Sequence, residues 1–437
     1  MNRRDLLKYG AAAFTLGALG PLLRTRKASA APAPARRLML VFAQGGWDTT
    51  YSIDPKTQSS EIDIPDGGTG CQVKTYGSGG LDAFLTSGPA GTSVDAFFSA
   101  YAANTAIVRG ISVASVAHAE CAKRMCTGTR NSTSPDMGAI VAHDLADSLP
   151  LPYLILGDTA FSGPYAASAG RVGPTNQIIA LLDPKQAYQT GSSKPFATTS
   201  AEDDVLQAYS MASATATRTD RAANGYNAAR VDDLTFSLQH ARLLQGKAAS
   251  FGHRGATLKL TDQVSLGVTA LQQGIAQSVM LNTELKWDTH SQNTDQEASH
   301  QALFDGLKQL LDALATTPGQ QAGTYMIDDT CVVVFSEMGR TPKLNANSQP
   351  GKDHWPVTSA MVIGAGVKGG VVLGATTDGL DGTNGMQAEL LDFTTGAVSS
   401  TGQSLMFQNF AAGVLQLCGV DPSTHFSSTP VFNAFIA

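Results

Sequence analysis

The sequence predicts an α/β protein with a mostly parallel central sheet covered on both faces. Three observations carry this reading. Short apolar runs alternate with helical stretches along the chain, the order expected of successive βα units. The best of these runs, Arg37–Phe42 and Thr330–Phe335, are continuously apolar, as strands buried on both faces require. No internal repeat and no long Pro/Ser linker divides the 437 residues.

The elements follow in order. Asn2-Arg3-Arg4-Asp5-Leu6-Leu7-Lys8 matches a twin-arginine export signal. An uncharged Ala/Gly/Leu run extends from Tyr9 to Leu23, and Ala28-Ser29-Ala30 offers a cleavage site. That run falls short of the ~20 apolar residues a membrane span needs. Residues 1–30 are therefore expected to be a removed signal peptide and 31–437 the exported domain, periplasmic or extracellular. Strands are expected at Arg37–Phe42, Thr105–Val108, Tyr153–Leu156, Gln177–Leu182, Gln277–Leu281, Thr330–Phe335, Ala360–Ile363 and Val371–Leu373. Helices are expected at Val94–Ala103, Asp136–Asp147, Glu202–Ala212, Asp232–Leu244, Gln296–Ala315 and Gln403–Cys418. The clearest is Gln296–Ala315, with Leu303, Leu307, Leu310, Leu311 and Leu314 on one stripe. Residues about 185–265, rich in Ala, Thr and Ser, read as a helical insertion.

Charge excludes some partners. Residues 1–30 hold six Lys/Arg and one Asp, so their removal takes the formal net charge from −6 to −11. An acidic chain without a basic stripe has no general attraction to nucleic acid. No second apolar run spans a bilayer. The chain has no Gly-x-Gly-x-x-Gly or P-loop pattern for a nucleotide cofactor. Five cysteines leave at least one unpaired; Cys121 and Cys126 are close in sequence, Cys331 reads as core and Cys71 as surface loop. Without a Cys-x-x-Cys pair, a thiolate zinc site is not expected.

All three tryptophans adjoin an acid or a histidine: Trp47-Asp48, Trp287-Asp288-Thr289-His290 and Asp353-His354-Trp355. The two Trp-Asp motifs follow apolar runs, and Glu337 and Arg340 follow Thr330–Phe335 in the same way. Carboxylates and imidazoles at the ends of parallel strands are where such sheets place their sites. Asp48, Asp288, His290, Glu337, Asp353 and His354 form a mixed oxygen and nitrogen set for a divalent metal ion: Zn, Mn, Fe, Mg or Ca, depending on geometry. Arg340 offers a donor fork for phosphate or sulfate, or an ion pair with Glu337 or Asp353. His143, His240, His253, His300 and His425 lack an acidic motif partner and read as packing or loop residues.

The chain resembles the domain-of-unknown-function 1501 family. The resemblance rests on the export signal, Leu40-Val41-Phe42-Ala43-Gln44-Gly45-Gly46-Trp47-Asp48, Trp287-Asp288-Thr289-His290, Ser336-Glu337-Met338-Gly339-Arg340-Thr341-Pro342, Asp353-His354 and Leu415-Gln416-Leu417-Cys418-Gly419-Val420-Asp421. That family in turn resembles the alkaline phosphatase and sulfatase superfamily. The resemblance implies a three-layer α/β/α fold, with metal-ligand roles for Asp48, Asp288, His290, Glu337 and His354. Two departures stand out: the Asp288/His290 spacing is tighter than the superfamily's, and Met338 replaces an expected histidine. At the superfamily's nucleophile position stands His118, ten residues before Gly128 in Cys126-Thr127-Gly128. His118 is then a further ligand, a nucleophilic imidazole or the mark of a chain that no longer hydrolyses esters. The implied function is metal-dependent hydrolysis of an anionic phosphate or sulfate ester, with His118 and Arg340 in the chemistry. The alternative is a metal-stabilised secreted binding or assembly protein acting with a second secreted protein.

Overall fold

The computed structural model describes residues 35–437 apart from 58–59, 147, 173–198, 220–224, 246–257 and 383. The predicted signal peptide, the run Gln177–Leu182 and His253 lie outside the described residues. In chain order the strands are β1 (Arg37–Phe42), β2 (Gln72–Tyr76), β3 (Leu81–Leu85), β4 (Thr105–Ser112), β5 (Tyr153–Leu156), β6 (Ala169–Val172), β7 (Ser278–Asn282), β8 (Thr330–Phe335), β9 (Gly339–Arg340), β10 (His354–Trp355), β11 (Val357–Gly364) and β12 (Val371–Leu373). The helices are α1 (Pro89–Tyr101), α2 (His118–Thr127), α3 (Met137–Leu145), α4 (Ser200–Thr219), α5 (Gly225–Gln245), α6 (Leu260–Gln272), α7 (Asp295–Thr316) and α8 (Phe407–Cys418).

Eight strands form one sheet in the order β12-β4-β11-β8-β1-β7-β5-β6. Strand β1 lies in parallel between β7 and β8. β5 continues in parallel beyond β7, and β6 beyond β5. On the other side β11 runs antiparallel to both β8 and β4, while β12 is parallel to β4. One reversed strand in an otherwise parallel sheet matches the mostly parallel expectation.

Side chains along β1 alternate between two cores, because successive Cβ atoms point to opposite faces. Leu38, Leu40 and Phe42 pack with residues of α2, α3 and α8; Met39 and Val41 pack with α1, α6 and α7. Each such side chain is fully buried, contributing ~1.5–3 kcal/mol by removal from water. Helices on both faces make the architecture three-layered.

Several boundaries follow local chemistry. Asp136 caps α3 by accepting from the Ala139 amide at 2.8 Å. Gly128, at φ +68, ends α2 in a left-handed conformation that places the chain against Phe426 and Ala411; a Cβ there would sit 2.7 Å from the Phe426 ring. Elements not expected include the β2–β3 hairpin, β6, the short β9 and β10, α2 and α6. Strand β6, Ala-Gly-Arg-Val, has little strand propensity and exists through its pairing with β5. Helix α2 has low mean apolarity, and Cys121, Ala122, Met125 and Cys126, with the buried Thr127, make its inward stripe.

Candidate functional site

The carboxyl ends of β1, β4, β5, β7 and β8 share one edge of the sheet with the start of the reversed β11. The loops there carry every expected site residue. Segment Ser115–Ala117 leads from β4 to His118 at the first position of α2. The loop after β7 carries Asp288 and His290. A short ladder between β9 and β10 pairs His354 with Arg340 and so fixes His354 over the same edge.

Three imidazoles converge there on one carboxylate. The Nε2 atoms of His118, His290 and His354 lie 3.3, 3.3 and 3.2 Å from oxygens of Asp288. Donor atoms of His118, Asp288 and His354 all fall within 4.8 Å of one another. Each ring is oriented from behind. Nδ1 of His118 meets Glu337 Oε1, Nδ1 of His290 meets Asp353 Oδ1, and Nδ1 of His354 meets the Val116 carbonyl, each at 2.8 Å. All three partners accept hydrogen bonds only, so each Nδ1 carries a proton and each ring turns its Nε2 inward. The Nε2 atoms of His290 and His354 stand 2.9 Å apart. The buried Nε2 of His118 has no hydrogen-bond partner. Inward Nε2 atoms, with acceptors holding the opposite ring nitrogens, are the arrangement of histidine metal ligands.

The donor set fits a divalent transition metal. Metal–ligand bonds of ~2.0–2.1 Å in a tetrahedral site put donors about 3.3 Å apart, close to the contacts Asp288 makes. Burial works against the Asp288 charge, but Arg340, His354 and His118 hold its carboxyl down at about 2, ionised as a ligand must be. The hydrogen bond from His118 to Glu337 pushes the His118 imidazole up, while burial pulls His354 down.

Glu337 stands behind this cluster rather than in it. It is fully buried, and its two oxygens accept from the Gly45 amide at 2.8 and 3.0 Å, from Ser336 Oγ at 3.1 Å and from His118. Gly45 has φ +131, and a Cβ on it would stand 2.8 Å from the Trp287 Cβ, so glycine lets this loop reach the carboxylate. Asp353 also lies behind, accepting from His290 and from Asn345 at 3.3 Å.

Asp48 is not brought to the cluster. Its side chain is 2% exposed and saturated: Oδ2 pairs with Lys352 Nζ at 2.8 Å and accepts from Asn293 at 2.9 Å, and Oδ1 accepts from Thr50 N at 3.1 Å and Oγ1 at 2.7 Å. Burial would raise the Asp48 carboxyl, but Lys352 and these donors hold it below its ordinary value. Arg340 does not face an open anion site either. Its side chain is fully buried, donating to the carbonyls of Gly46, Lys352, Trp287 and Gly45 and, at 2.8 Å, to Asp288 Oδ1. It ties β9 to the β1 and β7 loops and aims Asp288, instead of pairing with Glu337 or Asp353.

Tryptophans 47 and 287 support the site from below. Their rings meet edge to face at 6.4 Å, and both pack on the buried His300. Trp355 is half-buried and donates to the Met386 carbonyl. Beside the cluster opens a pocket of about 640 Å³ lined by Gln44, Gly45, His118, Asp158, Asn282, Glu284 and Asp288.

A family model described as "Protein of unknown function (DUF1501)" matches residues 35–427. The chain belongs to this family. Comparison with curated proteins yields no match. Among solved structures, this DUF1501 chain is similar to a protein in the alkaline phosphatase superfamily from Vibrio parahaemolyticus, at 10% identity and TM-score 0.38, over 88% of this chain and 67% of that one. It is also similar to the C-terminal periplasmic domain of EcEptC from Escherichia coli in a complex with Zn, at 8% identity and TM-score 0.39, over 92% and 87%. The lipoteichoic acid synthase LtaP from Listeria monocytogenes gives 8% identity and TM-score 0.33 over 92% and 74%. These likenesses are distant, at 10% identity or less. Among its described residues, no helix is long and apolar enough to cross a membrane.

Lys352 and Asn293, which hold Asp48, escape sequence reasoning, as does the Val116 carbonyl. Lys352 directly precedes the Asp353-His354 pair, but nothing in its neighbours shows that it is buried. A backbone carbonyl leaves no sequence signal at all.

Proposed function

We propose that this protein is an exported hydrolase built on a divalent-metal centre held by His118, His354 and Asp288, with His290 beside them. One observation carries the reading: donor atoms of His118, His354 and one ionised carboxylate lie within 4.8 Å of one another, each ring held from behind by an acceptor at Nδ1. Imidazole nitrogens beside one carboxylate favour zinc over the all-oxygen preference of magnesium or calcium. When bound, the metal supplies Lewis acidity and a water acidified toward pH ~7. The chain does the rest. Glu337 and Asp353 fix the ring planes, Arg340 keeps Asp288 ionised and aimed, and the Trp47–Trp287 pair keeps the floor dry. The open pocket beside His118 and Asp288 receives the substrate.

Phosphate and sulfate esters are the substrate class that the family resemblance suggests. His118, oriented by Glu337, serves as a ligand in this scheme rather than as a nucleophile. Residues 1–30 would direct export through the twin-arginine machinery, and residues about 185–265 would form a helical insertion.

The test combines metal analysis of natively exported protein with turnover of a phospho- and sulfo-ester panel. We expect about one transition metal per chain and ester hydrolysis lost in Asp288→Ala. The described lining of the pocket contains no Ser, Thr or Cys, which favours one alternative: a metal-stabilised binding protein working with a second secreted protein. Bound metal with no turnover of any ester would decide for that alternative. Metal-free protein from native export would remove the centre itself.

A further inference from the structure

Two histidines of the cluster depend on one short loop. Segment Val113–Ala117 leads from β4 to α2. It sets His118 at the first position of the helix and offers the Val116 carbonyl to His354 Nδ1 at 2.8 Å. Little packing holds it: Val113 is buried, but Ala114, Val116 and Ala117 are exposed. Its first residue is anchored, the Val113 amide donating to the Pro356 carbonyl at 2.8 Å. The next residue, Ala114, has φ +56, a left-handed conformation that is unfavourable for a residue with a Cβ. Such a conformation persists only where the surroundings impose it.

The restraint comes from α2 itself. Arg124, six residues after His118 on the same helix, reaches back with Nη1 to the Val113 carbonyl at 2.9 Å and to the Ala114 carbonyl. Those carbonyls belong to the two peptides that flank Ala114, so the guanidinium grips both sides of the strained residue. Hydrogen bonds from a charged donor are stronger than neutral ones. The guanidinium is itself steadied over the Phe407 ring of α8, 5.9 Å from its centroid. Helix, guanidinium and loop thus close a ring that contains His118 and presents the Val116 carbonyl outward.

Resting on the metal centre proposed above, we infer that Arg124 is a positioning residue for His118 and His354. By gripping the peptides around Ala114 it holds the Val116 carbonyl behind His354 and the start of α2, with His118, beside Asp288. It acts only through the loop, in the manner of the outer partners that orient histidine ligands. A lysine at this position would keep one compact donor but lose the flat face that rests on Phe407.

The experiment uses full-length, natively exported protein stripped of metal by a chelator. Zinc affinity is measured by competition with a chromophoric chelator for wild type, Arg124→Met, Arg124→Lys and Arg124→Met/Ala114→Gly, with thermal melts to confirm folding. Arg124→Met should weaken zinc binding by ~10–100-fold, the usual effect of removing an outer partner of a ligand. Arg124→Lys should lose less, and it carries the test if Arg124→Met does not fold. Adding Ala114→Gly should regain part of the loss, because glycine takes φ +56 without strain. A second readout needs no metal: NMR of the ¹⁵N-labelled histidine rings, at a pH where they are neutral. His354 should hold its proton on Nδ1 in wild type and show mixed tautomers in Arg124→Met. Zinc affinity and tautomer both unmoved by Arg124→Met, or affinity lost without any recovery from Ala114→Gly, overturns the proposal. The expected rank order with no ester turned over upholds the positioning role and defeats the hydrolase reading. Ester turnover with zinc affinity unmoved in every variant does the reverse. Should wild type bind no zinc, the metal centre falls, and the His354 tautomer alone decides the role of Arg124.

Discussion

The buried pair of Lys352 and Asp48 gives the sharpest quantitative expectation. Both side chains are 2% exposed and the ions stand 2.8 Å apart. At an effective dielectric of ~20, that separation corresponds to about 6 kcal/mol of attraction, opposed by several kcal/mol of desolvation for each ion. The net worth of the pair is therefore modest, yet removing one partner strands the other. Lys352→Met should destabilise the protein by about 3–5 kcal/mol, because Asp48 is left ionised and buried. The substitution keeps the Lys352 backbone carbonyl that accepts from Arg340 at 3.0 Å, so the aim of Asp288 should change little. Adding Asp48→Asn removes the stranded charge while an amide oxygen can still accept from Thr50. The double variant should recover at least about 1–2 kcal/mol relative to Lys352→Met, a coupling within the range of contacting pairs. Urea unfolding followed by tryptophan fluorescence is the assay, since Trp47 and Trp287 are both buried and packed on this region. A Lys352→Met cost below about 1 kcal/mol, or a double variant as unstable as the two single losses summed, would refute the argument.

Three further outcomes are expected. His354→Ala should lose bound metal and lower Tm relative to wild type, since a ligand bound only by the native state adds stability; an unchanged metal content removes His354 from the centre. His300 is fully buried, and burial pulls its imidazole down to about 4 from 6.5, so the unfolded chain takes up the proton first. Stability of the metal-free protein should then fall as pH drops from ~6.5 to ~4, at ~1.4 kcal/mol per unit, and His300→Gln should flatten that slope in pH-dependent urea melts. Identical slopes for the two proteins would mean that another group carries the acid sensitivity. Arg3→Lys with Arg4→Lys keeps the charge of the leader and should block export, measured by cell fractionation; undiminished export of this variant defeats the twin-arginine assignment.

The sequence by itself determined most of the sheet. Runs such as Thr330–Phe335 and Tyr153–Leu156 match β8 and β5 end to end, because a strand buried on both faces must be apolar throughout and its ends are marked by polar or glycine residues. Strong periodicity likewise made α7 legible, while β6 and α2 escaped because tertiary pairing and packing, not propensity, hold them. That Asp288, His290 and His354 share one end of the sheet was legible, since acids and imidazoles near strand ends are few. Tertiary structure alone decided the roles of their neighbours. Asp48, Glu337 and Asp353 are the same kind of residue in sequence, yet Lys352 claims the first, while His118 and His290 claim the other two from behind. Arg340 read as an anion fork or an ion-pair partner of Glu337 or Asp353, but carbonyls from three loops and Asp288 consume its donors. Whether a charged side chain faces a ligand or a partner depends on which loops the sheet order brings within ~3 Å, and hydrogen-bond reach is a property of three-dimensional neighbours that residue spacing does not record.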